Sequence, residues 1–275
     1  MSNFNENTRV QVPAALHLCK LGYEYLDEKD IMAYDHKTNI LTDVFLRSIR
    51  HINPDATGEE VSMLYSKIIN ISDNADLGRE FYALLSANSG VKLVDFENPD
   101  NNEWHVTTEF TCHNDETDDE FRPDITCFVN GMPLAFIEVK KPNNHEGILA
   151  ERDRINVRMS KKCFRSFFNI TQLMIFSNNQ EYDNTNRVPI QGAFYCCSSF
   201  SKAFFNVFRE EDKKFVARFP YLPLSSDIEN KVLRHRNCVV LRSLNEYQTN
   251  KQPTTPTNRI ITSMLSKERF LFLLR

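Results

Sequence analysis

Two acidic residues and a lysine lie close together within one segment of this sequence, Phe121–Asn144. Asp124 follows Pro123, and fourteen residues beyond Asp124 the chain reads Glu138-Val139-Lys140. Two carboxylates that converge from neighbouring strands can bind Mg²⁺, which prefers oxygen ligands. A lysine two residues after a glutamate lies on the same face of a strand, where its ammonium group can orient a water molecule or stabilise negative charge. A bound metal would polarise a phosphoryl oxygen and acidify a water, so this residue set suits phosphodiester hydrolysis.

The spacing matches the P-D…(D/E)-x-K pattern of metal-dependent nucleases. It predicts Asp124, Glu138 and Lys140 as catalytic residues, and Asp124, Glu138 and the Val139 carbonyl as metal ligands. The pattern is short, and a solvent-exposed Asp and Glu near strand ends would give the same letters. The spacing by itself therefore leaves both interpretations open.

The turn between the two acidic residues decides whether they can share a site. Asn130-Gly131 is a strong hairpin signal. A two-residue loop would place Asp124 and Glu138 on opposite faces, because a shift of one residue inverts every side chain of a strand. A three-residue loop, Val129–Gly131, with Gly131 in the left-handed conformation, would place them on one face. The nuclease interpretation therefore predicts the three-residue loop.

A basic stripe is predicted on the helix that follows, over 147–168. Four cations recur at i, i+4, i+7 and i+11 and so share one face. They are Arg154, Arg158, Lys161 and Arg165. One hypothesis is that they bind the DNA backbone next to the scissile phosphate. The alternative is an ordinary solvated helix face, with pairs to Glu151 and Asp153.

The elements that would position these residues follow from hydrophobic periodicity. Helices are predicted over 12–21, 40–52, 59–71 and 76–87. Strands are predicted over 91–96, 104–112, 125–129, 134–139, 173–176 and 193–197. Strands on both sides of a helix indicate an α/β layered domain. The pattern is irregular after Pro220 and helical again over 260–274, beyond a linker-like KQPTTP segment.

Composition excludes several other classes of protein. Charged residues make up 25% of the chain and apolar residues 41%, which is ordinary for a globular protein. No uncharged apolar run approaches a membrane span, and the first residues lack the features of a secretory signal. The seven cysteines include no C-x-x-C pair, which favours reduced thiols in a cytoplasmic protein. The chain has no G-x-x-x-x-G-K loop for a nucleotide phosphate.

The central motif, read as RPDI-x-x-F-x-NG-x-P-L-x-x-IE-x-K, resembles the N-terminal nuclease region of the restriction (R) subunit of type I restriction–modification enzymes. Supporting matches extend over roughly residues 10–200. The resemblance implies a PD-(D/E)xK α/β fold, with a central mixed sheet flanked by helices and preceded by a helical N-terminal region. It assigns catalysis to Asp124, Glu138 and Lys140, with Mg²⁺ as cofactor and double-stranded DNA as substrate. The implied partners are the specificity and methylation subunits, and ATP serves only the motor of the full-length protein.

The same resemblance divides the chain and reveals two departures. It implies an endonuclease domain over 1–250, with a helical part over 1–90 and a core over 91–200. Residues 251–275 would be a linker and the start of a helix leading to a motor that this chain lacks. Many members carry an acidic residue in the first helix, and residues 10–21 of this chain contain none. The family also has a common Q-x-x-x-Y motif, and Arg154 and Arg158 fall at its two positions here. These departures leave a cleavage-deficient docking module as an alternative, beside a stand-alone nuclease of the same fold.

Overall fold

A computed structural model describes residues 6–31, 33–113, 119–140, 146–182, 191–209 and 213–275. Within these ranges the chain forms eleven α-helices and one seven-stranded sheet. The helices are α1 (Glu6–Lys20), α2 (Thr42–Ile52), α3 (Gly58–Ser72), α4 (Arg79–Leu85), α5 (Gly147–Ser160), α6 (Arg165–Ile170), α7 (Lys213–Arg218), α8 (Ser226–His235), α9 (Asn245–Asn250), α10 (Pro256–Leu265) and α11 (Lys267–Leu274). The strands are β1 (Glu24–Tyr25), β2 (Trp104–Thr108), β3 (Ile125–Val129), β4 (Met132–Val139), β5 (Leu173–Ser177), β6 (Ala193–Cys196) and β7 (Asn206–Phe208).

The sheet is mixed, and its strands lie side by side in chain order from β1 to β7. The β1–β2 and β4–β5 pairs are parallel, and the other four neighbouring pairs are antiparallel. The parallel β4–β5 pair needs a crossover, which α5 and α6 supply. The predicted α/β architecture with a central mixed sheet and flanking helices is therefore confirmed.

The central strands are buried on both faces because their residues are almost entirely apolar. One face packs against α1 and α10, and its β3 and β4 residues are Ile125, Cys127, Val129, Ala135, Ile137 and Val139. The other face carries Phe128 and Phe136 and packs against α5 and α6. Leu134 also joins the first face.

The hairpin between β3 and β4 corrects the predicted loop. Val129 pairs with Met132, so the loop contains only Asn130 and Gly131. Both residues have positive φ, 50° and 77°, as a type I′ turn requires. The prediction of a three-residue loop was wrong, although Gly131 does adopt the left-handed conformation.

A β-bulge inside β4 supplies the extra residue instead. Phe128 pairs with Pro133 while Cys127 pairs with Ala135, which leaves Leu134 without a partner on β3. The insertion shifts the register by one residue beyond this point. Asp124 and Glu138 therefore reach the same face of the sheet, as the site requires, by a different route from the predicted loop.

Other segments differ from their predicted structure. The helix predicted over 147–168 is broken: α5 ends at Ser160 and α6 begins at Arg165, with a 3-10 turn, Lys162–Phe164, between them. Residues 91–96 form bends and no strand. Their backbone is satisfied by side chains: the Lys92 and Leu93 carbonyls accept hydrogen bonds from the Asn53 and Asn130 side-chain amides, at 2.9 Å each. The region after Pro220, predicted to be irregular, contains α8 and α9.

The predicted helical pattern over 260–274 is confirmed as two helices, α10 and α11, which meet at Ser266. Both contribute to the same apolar core as α1. His17 on α1 contacts Thr262 at 2.7 Å, and the Tyr23 hydroxyl donates to the Leu265 carbonyl at 2.8 Å. The division into 1–250 and 251–275 stays a prediction. Among the described residues, no helix is both long and apolar enough to cross a membrane.

The turn at Gly131 gives a test of this packing. A Cβ atom at Gly131 would lie 2.6 Å from the Leu41 carbonyl oxygen and 2.8 Å from the Phe45 nitrogen, at the start of α2. We expect Gly131→Ala to lower the free energy of unfolding by about 2 kcal/mol or more, through backbone strain and this clash. Urea denaturation would measure the change.

Gly58→Ala is the matched control, because a Cβ atom there meets nothing within 4 Å. Gly58 is the first residue of α3, so alanine should be neutral or slightly stabilising. Equal stability changes for the two variants would contradict the proposed packing of the turn.

Candidate active site

The three residues predicted to be catalytic lie together at one end of β3 and β4. The Lys140 Nζ atom is 3.9 Å from Asp124 Oδ2 and 3.7 Å from Glu138 Oε2. The exposed fraction of the side chain is 12% for Lys140, 13% for Asp124 and 5% for Glu138. The structure thus brings the sequence-predicted residues into one buried cluster, and their catalytic role stays a prediction.

Asp124 is held in place through both its side chain and its backbone. Its Oδ2 atom accepts a hydrogen bond from the Val139 amide at 2.8 Å, which ties the acidic residue to β4. Its carbonyl accepts from the Glu109 amide at 3.1 Å and from the side-chain amide of Gln11 at 2.7 Å. The Val139 carbonyl stays a predicted metal ligand.

Gln11 is a contributor that the sequence pattern did not identify. It lies on α1, in the stretch where an acidic residue was missing, and it is buried. It reaches the site through the backbone of Asp124, which no spacing rule would reveal, since the two residues are 113 positions apart.

The acidic pair is electrostatically costly in the absence of a cation. Burial raises the pKa of Asp124, against the lowering effect of Lys140. Burial raises the pKa of Glu138 further, to well above its usual range, and the neighbouring charges of Asp124 and Glu151 add to the rise. Glu138 Oε1 is buried and has no hydrogen-bond partner among the described residues. The single ammonium group of Lys140 therefore does not offset the cost of burying the pair, and a bound cation would supply further positive charge.

A third carboxylate, Glu151 on α5, completes the cluster. Its side chain is 4% exposed, and Oε2 lies 2.9 Å from Lys140 Nζ, closer than either member of the acidic pair. Burial alone would lower the pKa of Lys140, but the three carboxylates together raise it. Lys140 is thus held in its charged form. In the sequence, Glu151 lies one helical turn before Arg154. This position predicted only an ion pair on a solvated helix face.

The four cations of the basic stripe do not share one helix as predicted, because α5 ends at Ser160. Arg154 and Arg158 lie on α5, whereas Lys161 follows its end and Arg165 begins α6. All four are paired within the protein. Arg154 lies 2.8 Å and Arg158 3.4 Å from the Glu151 carboxylate. Lys161 contacts Asp119 at 2.6 Å, and the Arg165 guanidinium donates to the Asp73 carbonyl at 3.2 Å. Arg154 and Arg158 therefore belong to the acidic cluster, whereas these contacts tie Lys161 and Arg165 to other carboxylate-bearing residues. DNA binding by the four stays a prediction.

The residues present fit a hard divalent cation that takes only part of its ligands from the protein. Among the described residues, no three His, Cys, Asp or Glu side chains converge to form a metal site. Asp124 and Glu138 supply two carboxylates, and Glu138 Oε1 is a buried acceptor with no partner there. Mg²⁺ commonly takes one or two carboxylates and keeps waters or substrate oxygens for its other positions. The donor set thus suits Mg²⁺ better than zinc, which favours nitrogen and sulfur ligands.

A mixed sheet that presents Asp124, Glu138 and Lys140 from two adjacent strands has the architecture of the PD-(D/E)xK class of α/β folds. Residues 3–187 match the family described as type I restriction enzyme R protein N terminus. The chain belongs to this family.

A named relative agrees with this assignment. The chain is 29% identical over 203 residues to a protein of Methanocaldococcus jannaschii named "Putative type I restriction enzyme MjaIXP endonuclease subunit". The match covers 66% of this chain and 19% of the relative. The chain thus spans about a fifth of the length of that protein.

The raised pKa of Glu138 predicts that glutamine is more stable than glutamate at this position. The folded state binds the Glu138 proton more tightly than the unfolded state, so the folded state is penalised as the pH rises above about 4.5. In metal-free buffer at pH 7, we expect Glu138→Gln to raise the free energy of unfolding by about 1 kcal/mol or more. Thermal unfolding at pH 7 and pH 4.5 should show the gain only at the higher pH.

Glu103→Gln is a control of opposite sign. Glu103 forms a salt bridge with Arg47, and this contact lowers its pKa against the effect of burial. Loss of this salt bridge in Glu103→Gln should therefore lower the free energy of unfolding at pH 7. A Glu138→Gln variant that is also less stable at pH 7 would contradict the charge repulsion inferred at the acidic pair.

Proposed function

We propose that this chain is a Mg²⁺-dependent nuclease domain that hydrolyses DNA phosphodiester bonds as part of a type I restriction enzyme R subunit. The observation that carries the proposal is the buried cluster of Asp124, Glu138 and Lys140, whose residue types and spacing suit phosphodiester hydrolysis. Family membership and the name of the M. jannaschii relative support the same activity.

Each residue of the cluster has a distinct chemical task in this proposal. Asp124 and Glu138 would hold the metal, with the Val139 carbonyl as a further ligand. When bound, Mg²⁺ supplies a Lewis acid for the phosphate and lowers the pKa of a coordinated water. Lys140 keeps its proton, so its ammonium group positions the nucleophile and stabilises the charge that develops on the phosphate oxygens. In-line attack of the water oxygen at phosphorus would form one P–O bond and break the P–O bond to the leaving sugar oxygen, which takes up a proton.

The proposed substrate is double-stranded DNA, cleaved without sequence readout by this domain. The cations near the acidic cluster are Lys140, Arg154 and Arg158. They suit contacts to phosphates, which position DNA but carry no direct sequence information. Target choice would then belong to the specificity and methylation subunits, and ATP hydrolysis to a motor outside this chain.

Mn²⁺ titration by calorimetry tests the proposed metal site. We expect this chain to bind Mn²⁺ and Asp124→Ala to lose most of the binding heat, because the variant removes one of two side-chain ligands. Asp153→Asn is the matched control, since Asp153 is 66% exposed and pairs with Arg152 rather than with the cluster.

The outcomes separate the competing functions. An Asp153→Asn variant that binds like wild type would show that the loss is specific to the cluster. Absence of binding heat with wild type would contradict the nuclease proposal. It would instead favour the docking module without cleavage, in which the Glu151 pairs of Arg154 and Arg158 serve structure alone.

DNA contact by the basic stripe is tested best at Arg154, whose side chain is 58% exposed. If Arg154 neutralises one phosphate, Arg154→Ala should weaken binding of duplex DNA and reduce the salt-dependence slope by about 0.9. Fluorescence anisotropy over a range of salt concentrations would measure both quantities. Arg152→Ala, on the same helix, controls for loss of net charge, and identical slopes for the two variants would remove Arg154 as a specific contact.

A further inference from the structure

The shortest contact of Lys140 is with Glu151, which lies outside the P-D…(D/E)-x-K pattern. The Lys140–Glu151 distance of 2.9 Å is a hydrogen bond, whereas the distances to Glu138 and Asp124, 3.7 and 3.9 Å, are too long for one. Glu151 therefore draws the ammonium group away from direct contact with the two carboxylates that would hold the metal.

Glu151 is well placed to act in this way because it cannot move to solvent. It is 3% exposed and lies in the second turn of α5. Arg154 approaches the same oxygen that contacts Lys140, at 2.8 Å, and Arg158 approaches the other oxygen at 3.4 Å. Arg158 also lies over the Phe121 ring, 4.5 Å from its centroid. The carboxylate is thus fixed by two guanidinium groups and presents a constant anchor to Lys140.

The charges of the cluster indicate what this anchor prevents. An ammonium group attracted to Asp124 and Glu138 would occupy the space in which their oxygens could bind a cation. At short range in a buried site this attraction is strong, and only a competing carboxylate offsets it. We propose that Glu151 is a positioning residue that holds Lys140 off the acidic pair and so keeps the pair available to a divalent cation. This inference rests on the proposed nuclease function.

A double-mutant cycle read out by Mn²⁺ calorimetry tests the proposal. Glu151→Gln keeps the size of the side chain and removes its charge. We expect it to weaken Mn²⁺ binding about tenfold when Lys140 is present, because Lys140 then moves onto the acidic pair. In a Lys140→Met background the same change should weaken binding by less than about twofold, since no ammonium group remains to be displaced.

A loss of metal affinity that arises from charge or folding alone would not depend on Lys140. Equal weakening in both backgrounds, or no weakening in either, would overturn the positioning role while leaving the nuclease proposal intact. Wild-type protein that binds no Mn²⁺ would overturn both. Asp153→Asn on the same helix controls for loss of a carboxylate, and thermal unfolding would verify that each variant folds. If Glu151→Gln fails to fold, Glu151→Asp repeats the cycle, because it keeps the charge but shortens the reach to Lys140.

Discussion

The burial of three carboxylates around one ammonium group is the constraint on which this structure depends. Charges removed from water are costly unless they are paired, and here Lys140 approaches Asp124, Glu138 and Glu151 within 4 Å. Two antiparallel strands and one helix must meet correctly for this to occur. The apolar residues of β3 and β4 bury both faces of the strand pair, and α5 brings the third carboxylate across the end of β4. The core thus stabilises a local cluster that is unfavourable by itself.

The β3–β4 hairpin illustrates how such a cluster constrains backbone geometry. Asn130 and Gly131 form the type I′ turn that their residue types favour, although this turn alone gives the wrong register for the site. The unpaired Leu134 in β4 restores it. The sequence predicted that one extra residue was needed but placed it in the turn, because an insertion in the loop and a bulge in the strand have the same effect on side-chain direction. Only the pairing along the ladder distinguishes them.

The parts that could be predicted are those encoded by local patterns. The helices before residue 90, most of the core strands and the acidic pair with its lysine follow from periodicity and spacing. Gln11 and Glu151 were missed as site residues, because their contacts to Asp124 and Lys140 depend on the packing of α1 and α5 against the sheet. The false strand over 91–96 has a similar cause. Its buried apolar residues resemble a strand, but amide side chains from distant segments satisfy part of its backbone.

The pairing of the basic stripe changes the meaning of the net charge of −4. A local excess of cations on α5 and just after it would give this domain its own attraction for DNA, but an acidic residue pairs with each of the four side chains. Phosphates must therefore compete with these internal acceptors, most easily at the exposed Arg154. Weak attraction of this kind is compatible with the proposed nuclease function if partner subunits deliver the DNA, because a strongly basic nuclease surface would bind DNA without regard to target.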